Sequence, residues 1–189
     1  MSDDNRIFII DSMAYVFRSF FGIRAPMQSQ EGVPTNALYG FINAFESILR
    51  DFDPSHVVAV FDAGSQTFRN ELYPEYKANR SECPEQLKPQ FDLVKEYIRL
   101  RGIPLLIQPG FEADDIIATV CKQADAVSLT AIVCSGDKDL MQLVNDNTSV
   151  CHTYKENLMI DADKVLELMG VRPDQIVDYL SMCGDAADN

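Results

Sequence analysis

Three apolar runs in this chain are each followed, at once or within two residues, by an aspartate. The run and its acid are, in turn, Ile7–Ile10 with Asp11, Val57–Phe61 with Asp62, and Leu129–Cys134 with Asp137. Continuous apolar runs of this length are typical of strands that are buried on both faces. Because ligands of open parallel sheets sit beyond the carboxyl ends of the strands, we expect the three acids to meet at that edge.

Segments of helical length separate these runs. The clearest is an amphipathic segment that begins after Thr35, a predicted N-cap, and ends at Asp53-Pro54. This alternation predicts a mostly parallel sheet with helices on both faces. The other predicted helices are Met13–Phe21, 87–101, Glu112–Ala124, Asp161–Met169 and Pro173–Cys183, and the other predicted strands are Pro104–Ile107 and Ser149–Tyr154. Residues 63–84 are polar, Tyr-rich and aperiodic, and we expect them to be exposed.

The length of 189 residues fits one domain, and no apolar run is long enough to cross a bilayer. The N-terminus has no pattern of a secretory signal. Five cysteines without a C-x-x-C pair favour a reducing cytoplasm and free thiols, with Cys121 and Cys134 in the core.

The net charge of −13 is unusual for a protein that binds nucleic acid. Nine of the 29 acidic residues, however, lie in a few short clusters; without them the net charge is −4, and two divalent ions would offset part of the charge of the clusters. Residues 69–101 carry seven Lys or Arg against six acids. The charge distribution therefore permits nucleic-acid binding without requiring it.

Nine carboxylates form five clusters, each at the predicted end of a strand or helix. They are Asp11; Asp62; Glu112, Asp114 and Asp115; Asp137 and Asp139; and Asp185 and Asp188. Each cluster alone is explained by a helix cap, a turn or the favourable position of acids in a first helical turn. Together they indicate a site for hard cations, since Mg²⁺ and Mn²⁺ prefer oxygen ligands. Nine carboxylates exceed the needs of one ion, so we expect two or more.

Spacing within the clusters suggests which carboxylates act together. Asp137 and Asp139 are two residues apart in a loop that we expect to be extended, so both side chains would point the same way. Glu112 and Asp115 are three apart on a helix and would share a face, whereas Asp114 would point elsewhere. Two ions roughly 3.5–4 Å apart are a common device for cleaving phosphodiesters in line.

Seven motifs, in order along nearly the whole chain, resemble one family. They are Ile-Ile-Asp11-Ser, Ala-Leu-Tyr39-Gly40-Phe, Val-Ala-Val-Phe-Asp62, Tyr76-Lys77-Ala-Asn-Arg80, Phe-Glu112-Ala-Asp114-Asp115, Ser-Gly136-Asp137-Lys-Asp139 and Gly184-Asp185-Ala-Ala-Asp188-Asn. The family is the 5′-nuclease domain at the N-terminus of bacterial DNA polymerase I, within the flap endonuclease superfamily. The resemblance implies an α/β fold with a PIN-like (resolvase-like), mostly parallel sheet, helices on both faces and a helical arch. It also implies metal-dependent, 5′→3′ exonucleolytic and 5′-flap endonucleolytic hydrolysis of DNA in replication and repair.

The resemblance also assigns roles to the clustered acids and to several basic residues. Asp11, Asp62, Glu112, Asp114 and Asp115 would surround a first Mg²⁺ or Mn²⁺ ion, and Asp137, Asp139, Asp185 and Asp188 a second. The catalytic cations would be Lys77 and Arg80, which would stabilise charge that develops on the phosphate. Tyr76 would stack on a base, and Arg18, Arg69, Lys77 and Arg80 would contact DNA. The alternative interpretation, which does not use the family resemblance, is that Lys77 and Arg80 are charged loop residues exposed to solvent.

The resemblance divides the chain in two. Residues 1–172 would form the nuclease core, with the arch at about 69–90, and residues 173–189 would begin a helix–hairpin–helix DNA-binding element. We expect a cytoplasmic monomer that acts on DNA with a 5′ end or flap, with a polymerase domain in the same parent chain. Three other functions remain open: an inactive, metal-binding domain that binds DNA, a PIN-type ribonuclease, or an aspartyl phosphatase. The last is disfavoured because Met13 stands where that chemistry expects a second Asp.

Overall fold

The computed structural model describes residues 5–64, 66–78 and 80–184 and contains a six-stranded sheet. The strand order is β3-β2-β1-β4-β5-β6; β1 to β5 pair in parallel, and β6 runs antiparallel to β5. The mostly parallel sheet predicted from the apolar runs is confirmed. The strands are Arg6–Asp11 (β1), His56–Val60 (β2), Leu105–Leu106 (β3), Thr130–Cys134 (β4), Thr148–His152 (β5) and Leu158–Ile160 (β6).

Helices cover both faces of the sheet, as predicted. They are Ser12–Gly22 (α1), Asn36–Phe52 (α2), Phe68–Leu72 (α3), Lys88–Leu100 (α4), Ala113–Ala126 (α5), Ala162–Met169 (α6) and Ile176–Cys183 (α7), with 3₁₀ turns at Asp139–Leu143 and Pro173–Gln175. No helix in the described ranges is long and apolar enough to cross a membrane.

Alternate residues of each strand feed two separate cores. Phe8 and Ile10 of β1 point into the core that α1, α2 and α4 cover, whereas Ile9 points into the core under α5. All three side chains are at most 1% exposed. The period-2 alternation of a strand therefore lets one sheet support a helical layer on each of its two faces.

The end of α2 that faces the predicted arch is capped by a distant residue. Thr35 precedes α2, as predicted, but its side chain makes no capping hydrogen bond. Instead, Gln90 Oε1 accepts hydrogen bonds from the backbone N–H groups of Ala37, at 2.8 Å, and Leu38, at 3.2 Å. Gln90 is fully buried, so this contact fixes the start of α4 against α2.

The structure also departs from the predicted elements in short segments. The strand predicted at Pro104–Ile107 is reduced to Leu105–Leu106, β6 was not predicted, and α3 lies within the segment that was expected to lack periodic structure. The segment Pro173–Cys183 starts with a 3₁₀ turn before α7. Ile176 of α7 is fully buried in the core under α5. That residues 173–189 begin a helix–hairpin–helix element remains a prediction.

Candidate metal centre

The three predicted strand-tip acids follow adjacent strands of the sheet. Asp11 is the last residue of β1, Asp62 comes two residues after β2, and Asp137 comes three residues after β4. Strand β1 lies between β2 and β4 and pairs in parallel with both. The carboxyl edge of the sheet therefore brings together three acids that are far apart in the sequence.

Asp11 has two structural roles within this edge. It is only 5% exposed, and its Oδ2 accepts a hydrogen bond of 2.6 Å from Ser135 Oγ. Its Oδ1 accepts a bond of 3.2 Å from the backbone N–H of Ala14, which caps α1. Burial raises the pKa of Asp11 to about 6 against the opposing effect of these hydrogen bonds, and the charges of Asp137 and Asp62 raise it further. The Asp11 side chain therefore both caps α1 and belongs to the acid cluster.

Asp62 connects the tip of β2 to the start of α5. One of its carboxylate oxygens accepts a 2.6 Å hydrogen bond from the backbone N–H of Ala113. Burial raises the pKa of Asp62, and the charge of Glu112 adds to that rise, while Lys77 and Arg80 oppose it. The first turn of α5 and two basic residues of the predicted arch thus lie within electrostatic reach of this strand tip.

Asp114 faces the strand-tip acids from the first turn of α5. Burial raises its pKa to about 7, and the charges of Asp11, Asp137 and Asp62 raise it further. These four carboxylates therefore repel one another across a partly desolvated space. A divalent cation would relieve that repulsion, and the all-oxygen donor set suits Mg²⁺ or Mn²⁺.

The four carboxylates are not arranged as a closed coordination shell. In the parts of the chain that the structure describes, no group of three His, Cys, Asp or Glu side chains is positioned to hold an ion as it stands. The acids bind the protein's own donors instead, such as Ser135 and the Ala113 N–H. The donor chemistry and the mutual repulsion nevertheless fit divalent ions.

Three residues of the predicted arch contact Glu112 and Asp115, two further acids at the start of α5. Lys77 Nζ is 2.9 Å from Glu112 Oε1, and the Tyr76 hydroxyl donates to Glu112 Oε2 at 3.1 Å. Arg69 donates two hydrogen bonds to Asp115, at 2.7 and 2.8 Å. Lys77 is therefore not the solvated loop charge of the simpler interpretation. The prediction that Glu112 and Asp115 share a helix face fits these contacts.

The loop after β4 is held by Ser135, for which the sequence suggested no role. Ser135 Oγ donates to Asp11 and accepts a 3.0 Å bond from the backbone N–H of Asp137. The Asp139 N–H in turn donates to Asp137 Oδ1 at 2.9 Å. The expected extended loop is wrong, because Lys138 has helical backbone angles and a 3₁₀ turn begins at Asp139.

The remaining predicted site residues lie apart from the four central acids or are not described. Arg18, on α1, stacks its guanidinium over the ring of Tyr154 at 4.1 Å. Arg80 is exposed, and its charge lowers the pKa of Asp62. Asp185 and Asp188 lie outside the described residues. The predicted buried thiols, Cys121 and Cys134, are confirmed.

Comparisons with known proteins identify the family. Residues 6–170 match the family described as "5′-3′ exonuclease, N-terminal resolvase-like domain". The chain is 39% identical to a 5′-3′ exonuclease of Aquifex aeolicus over 97% of the chain and 63% of that protein. It is also 39% identical to DNA polymerase I of Rhizobium leguminosarum, over 100% of the chain and 19% of that protein. The chain thus spans less than two thirds of either relative.

A solved structure shows the same fold. The flap endonuclease of bacteriophage T5, in a complex with DNA and metal ions, superimposes with a TM-score of 0.75 at 22% identity. The alignment covers 97% of this chain and 68% of the phage protein. The α/β, PIN-like fold is therefore confirmed. Because the family match extends over residues 6–170, the chain belongs to the 5′-3′ exonuclease family, as its N-terminal resolvase-like domain.

Proposed function

We propose that this chain is a divalent-metal-dependent 5′-nuclease that hydrolyses phosphodiester bonds of DNA at 5′ ends and 5′ flaps. The observation that carries the proposal is the convergence of Asp11, Asp62, Asp114 and Asp137 at one sheet edge, where burial and the charges of Asp62 and Asp137 raise the pKa of both Asp11 and Asp114. Two related proteins that share this domain are named 5′-3′ exonuclease and DNA polymerase I. The structural neighbour with DNA and metal ions supports the same substrate and cofactor class.

In this proposal, the acids at the sheet edge bind two Mg²⁺ or Mn²⁺ ions. Bound ions of this kind supply Lewis acidity, which activates a water for attack and offsets the charge of the phosphate. Asp11 and Asp62 are held by hydrogen bonds to Ser135 and Ala113, so both are oriented before any ligand arrives. By the family resemblance, the first ion is assigned to Asp11, Asp62, Glu112, Asp114 and Asp115, and the second to Asp137, Asp139, Asp185 and Asp188.

The basic side chains of the arch complete the proposed site. Lys77 is paired with Glu112 at 2.9 Å, and its ammonium group stands between the arch and the acid cluster. Lys77, together with Arg80, would donate to a phosphate oxygen and stabilise the negative charge that develops there. Tyr76 would stack on a base next to the scissile bond, and Arg18 would contact the DNA backbone.

The biological setting follows from the relatives. The chain matches 19% of a DNA polymerase I, so we propose that a polymerase domain accompanies it in a longer parent chain. Removal of primers and flaps during replication and repair would be its role. We further propose that it acts as a monomer in the cytoplasm.

The test is cleavage of matched substrates by the purified chain. A duplex with a labelled 5′ DNA flap and the same duplex with an RNA flap are each incubated with Mn²⁺, with Mg²⁺ or with EDTA. We expect metal-dependent cleavage of the DNA flap near its junction and no cleavage in EDTA. Cleavage of RNA flaps alone would support a ribonuclease, and metal binding without cleavage of either substrate would support an inactive DNA-binding module.

A pair of variants assigns any activity to the proposed site. Asp62→Asn keeps the size of the side chain but removes a charge from the acid cluster, and we expect it to abolish cleavage. Asp161→Asn is the matched control, because Asp161 caps α6 away from the cluster and Asn caps equally well. Equal activity in the two variants would overturn the assignment.

A further inference from the structure

Asp115, one of the acids assigned to the first ion by family resemblance, is already occupied by an arginine. The two terminal nitrogens of Arg69 donate to its two carboxylate oxygens at 2.7 and 2.8 Å. Oδ2 also accepts a 3.0 Å hydrogen bond from the backbone N–H of Glu112. This is the two-pronged geometry in which guanidinium and carboxylate bind most strongly. Both oxygens are therefore committed to partners within the protein.

The ion pair joins two segments that are 46 residues apart. Arg69 is the second residue of α3, and Asp115 lies in the first turn of α5. A backbone bond of 3.0 Å from Phe68 N–H to Gly110 O runs beside it. The Arg69 guanidinium also lies 4.6 Å from the centre of the Phe68 ring and 6.0 Å from that of Tyr76. Arg69 is thus the centre of the contacts that hold residues 67–77 on α5.

Asp114, the adjacent residue, has a different environment. The charges that raise its pKa are those of Asp11, Asp137 and Asp62, whereas the nearest charge to Asp115 is Arg69, which lowers its pKa. Successive residues of one helical turn project in different directions, so the two carboxylates address different partners. One faces the acid cluster and the other faces the base of the arch.

We propose that Asp115 is a positioning residue and not a metal ligand: its ion pair with Arg69 holds the arch so that Lys77 reaches Glu112. Lys77 Nζ is 2.9 Å from Glu112 Oε1, and only six residues separate Arg69 from Tyr76, whose hydroxyl also binds Glu112. The ion pair between Arg69 and Asp115 therefore determines the position of the predicted catalytic cations. This inference rests on the proposed nuclease function only for its catalytic consequence.

The direct test is Mn²⁺ binding by calorimetry to a double variant. Arg69→Gln with Asp115→Asn replaces an ion pair of zero net charge by a neutral pair, and the loss of Arg69, which lies 3.6 Å from Glu112 Oε2, does not weaken the attraction of Glu112 for a cation. We expect the Mn²⁺ affinity to stay within about threefold of the wild type. The positive charge of Arg69 and the negative charge of Asp115 are removed together, so the net charge near the metal site does not change. Asp114→Asn is the comparison and should weaken Mn²⁺ binding by about tenfold or more. A loss of that size in the double variant would overturn the proposal.

The position of the arch is tested without metal or DNA. Chymotrypsin cleaves after Tyr76, whose hydroxyl stays bound to Glu112 while the segment lies on α5, whereas the bond after Tyr73 is resistant because Pro74 follows it. We expect Arg69→Gln, Asp115→Asn and the double variant each to be cleaved about tenfold faster, since each breaks the ion pair that joins the two segments. Unchanged cleavage in all three variants would contradict a role of the pair in holding the arch.

The same three variants test whether the ion pair between Arg69 and Asp115 contributes to catalysis. In single-turnover cleavage of the DNA flap, each single variant should be slowed by a similar factor and the double variant no further, as expected for residues that act as one unit. Multiplied losses would overturn the proposal. If the wild type cleaves no substrate, the nuclease function fails, yet Mn²⁺ binding and proteolysis still decide the role of Asp115.

Discussion

Ser135 Oγ donates a 2.6 Å hydrogen bond to Asp11 Oδ2 across 124 residues of sequence, and this bond joins the tips of β1 and β4. Ser135 is 1% exposed and also accepts from the N–H of Asp137. It therefore sets the spacing between two acids that are assigned to different ions. Removing it would release both strand tips at once.

Ser135→Ala should lower the free energy of unfolding by about 1–3 kcal/mol, because it leaves a buried carboxylate without its donor. Urea denaturation of the metal-free protein measures this loss. Ser181→Ala is the matched control, since the exposed Ser181 hydroxyl bonds only the Val177 carbonyl of its own helix. A loss in Ser135→Ala no larger than in the control would show that the bond does not organise the site.

The metal-free protein should lose stability as pH rises from 5 to 8. Burial raises the pKa of Asp11 to about 6 and that of Asp114 to about 7, so the folded chain holds these protons more tightly than the unfolded chain, whose carboxyls titrate near pH 4. Their stabilising contribution is complete below about pH 4 and is lost as pH rises through the folded pKa. For Asp11 the loss is roughly 3 kcal/mol.

Thermal unfolding in EDTA at pH 5 and pH 8 measures this dependence. Asp114→Asn removes one of these titrating groups and should flatten the slope. Adding Mn²⁺ at pH 8 should restore stability, because an ion that binds only the folded state stabilises it. Stability that stays level or rises between pH 5 and pH 8 in EDTA would contradict the burial and repulsion of these acids.

Gln90→Met should destabilise the protein by about 1–3 kcal/mol, since it leaves the Ala37 and Leu38 N–H groups without an acceptor in the core. Thr35→Ala should cost less than about 0.5 kcal/mol, below the usual cost of losing an N-cap, because Thr35 makes no capping bond. Chemical denaturation of the two variants checks the contrast. The reverse order would mean that Thr35 caps α2 in solution.

Gly40→Ala should separate α1 from α2. A Cβ at Gly40 would stand 2.6 Å from Ser19 Cβ and Oγ, which is closer than carbon atoms pack, so we expect a loss of about 1–3 kcal/mol. Gly22→Ala is the control, since nothing lies within 4 Å of a Cβ there, and should change stability by less than about 0.5 kcal/mol. Equal stabilities of the two variants would show that this helix contact adapts freely.

The meeting of the strand-tip acids could be predicted from the sequence. Each apolar run followed by an acid is visible locally, and the parallel sheet then brings the ends of the strands to the same edge. An apolar run followed by Asp11 or Asp62 defines a buried parallel strand, and parallel pairing then places both tips at one edge. The spacing also anticipated that Glu112 and Asp115 lie close enough to contact one arginine, although Glu112 is the extended N-cap of α5 and stands outside the helix.

Contacts made by single polar residues were not predictable. Ser135 and Gln90 contact partners 124 and 53 residues away, and neither stands in a periodic pattern that would reveal it. Strand β6 is only three residues long and is defined by its pairing with β5. The bond between Arg69 and Asp115 depends on how the arch returns to α5, which no local spacing encodes.

The measurement closest to the central claim is metal-dependent cleavage of a 5′-flap DNA by the wild type and by Asp114→Asn. Asp114 is the one acid of α5 whose charge is coupled to Asp11, Asp137 and Asp62 together. We predict cleavage by the wild type in Mn²⁺ and a loss of at least about a hundredfold in Asp114→Asn, in line with removing a group that stabilises the transition state. Failure of the folded, Mn²⁺-bound wild type to cleave, or full activity in Asp114→Asn, would contradict the account.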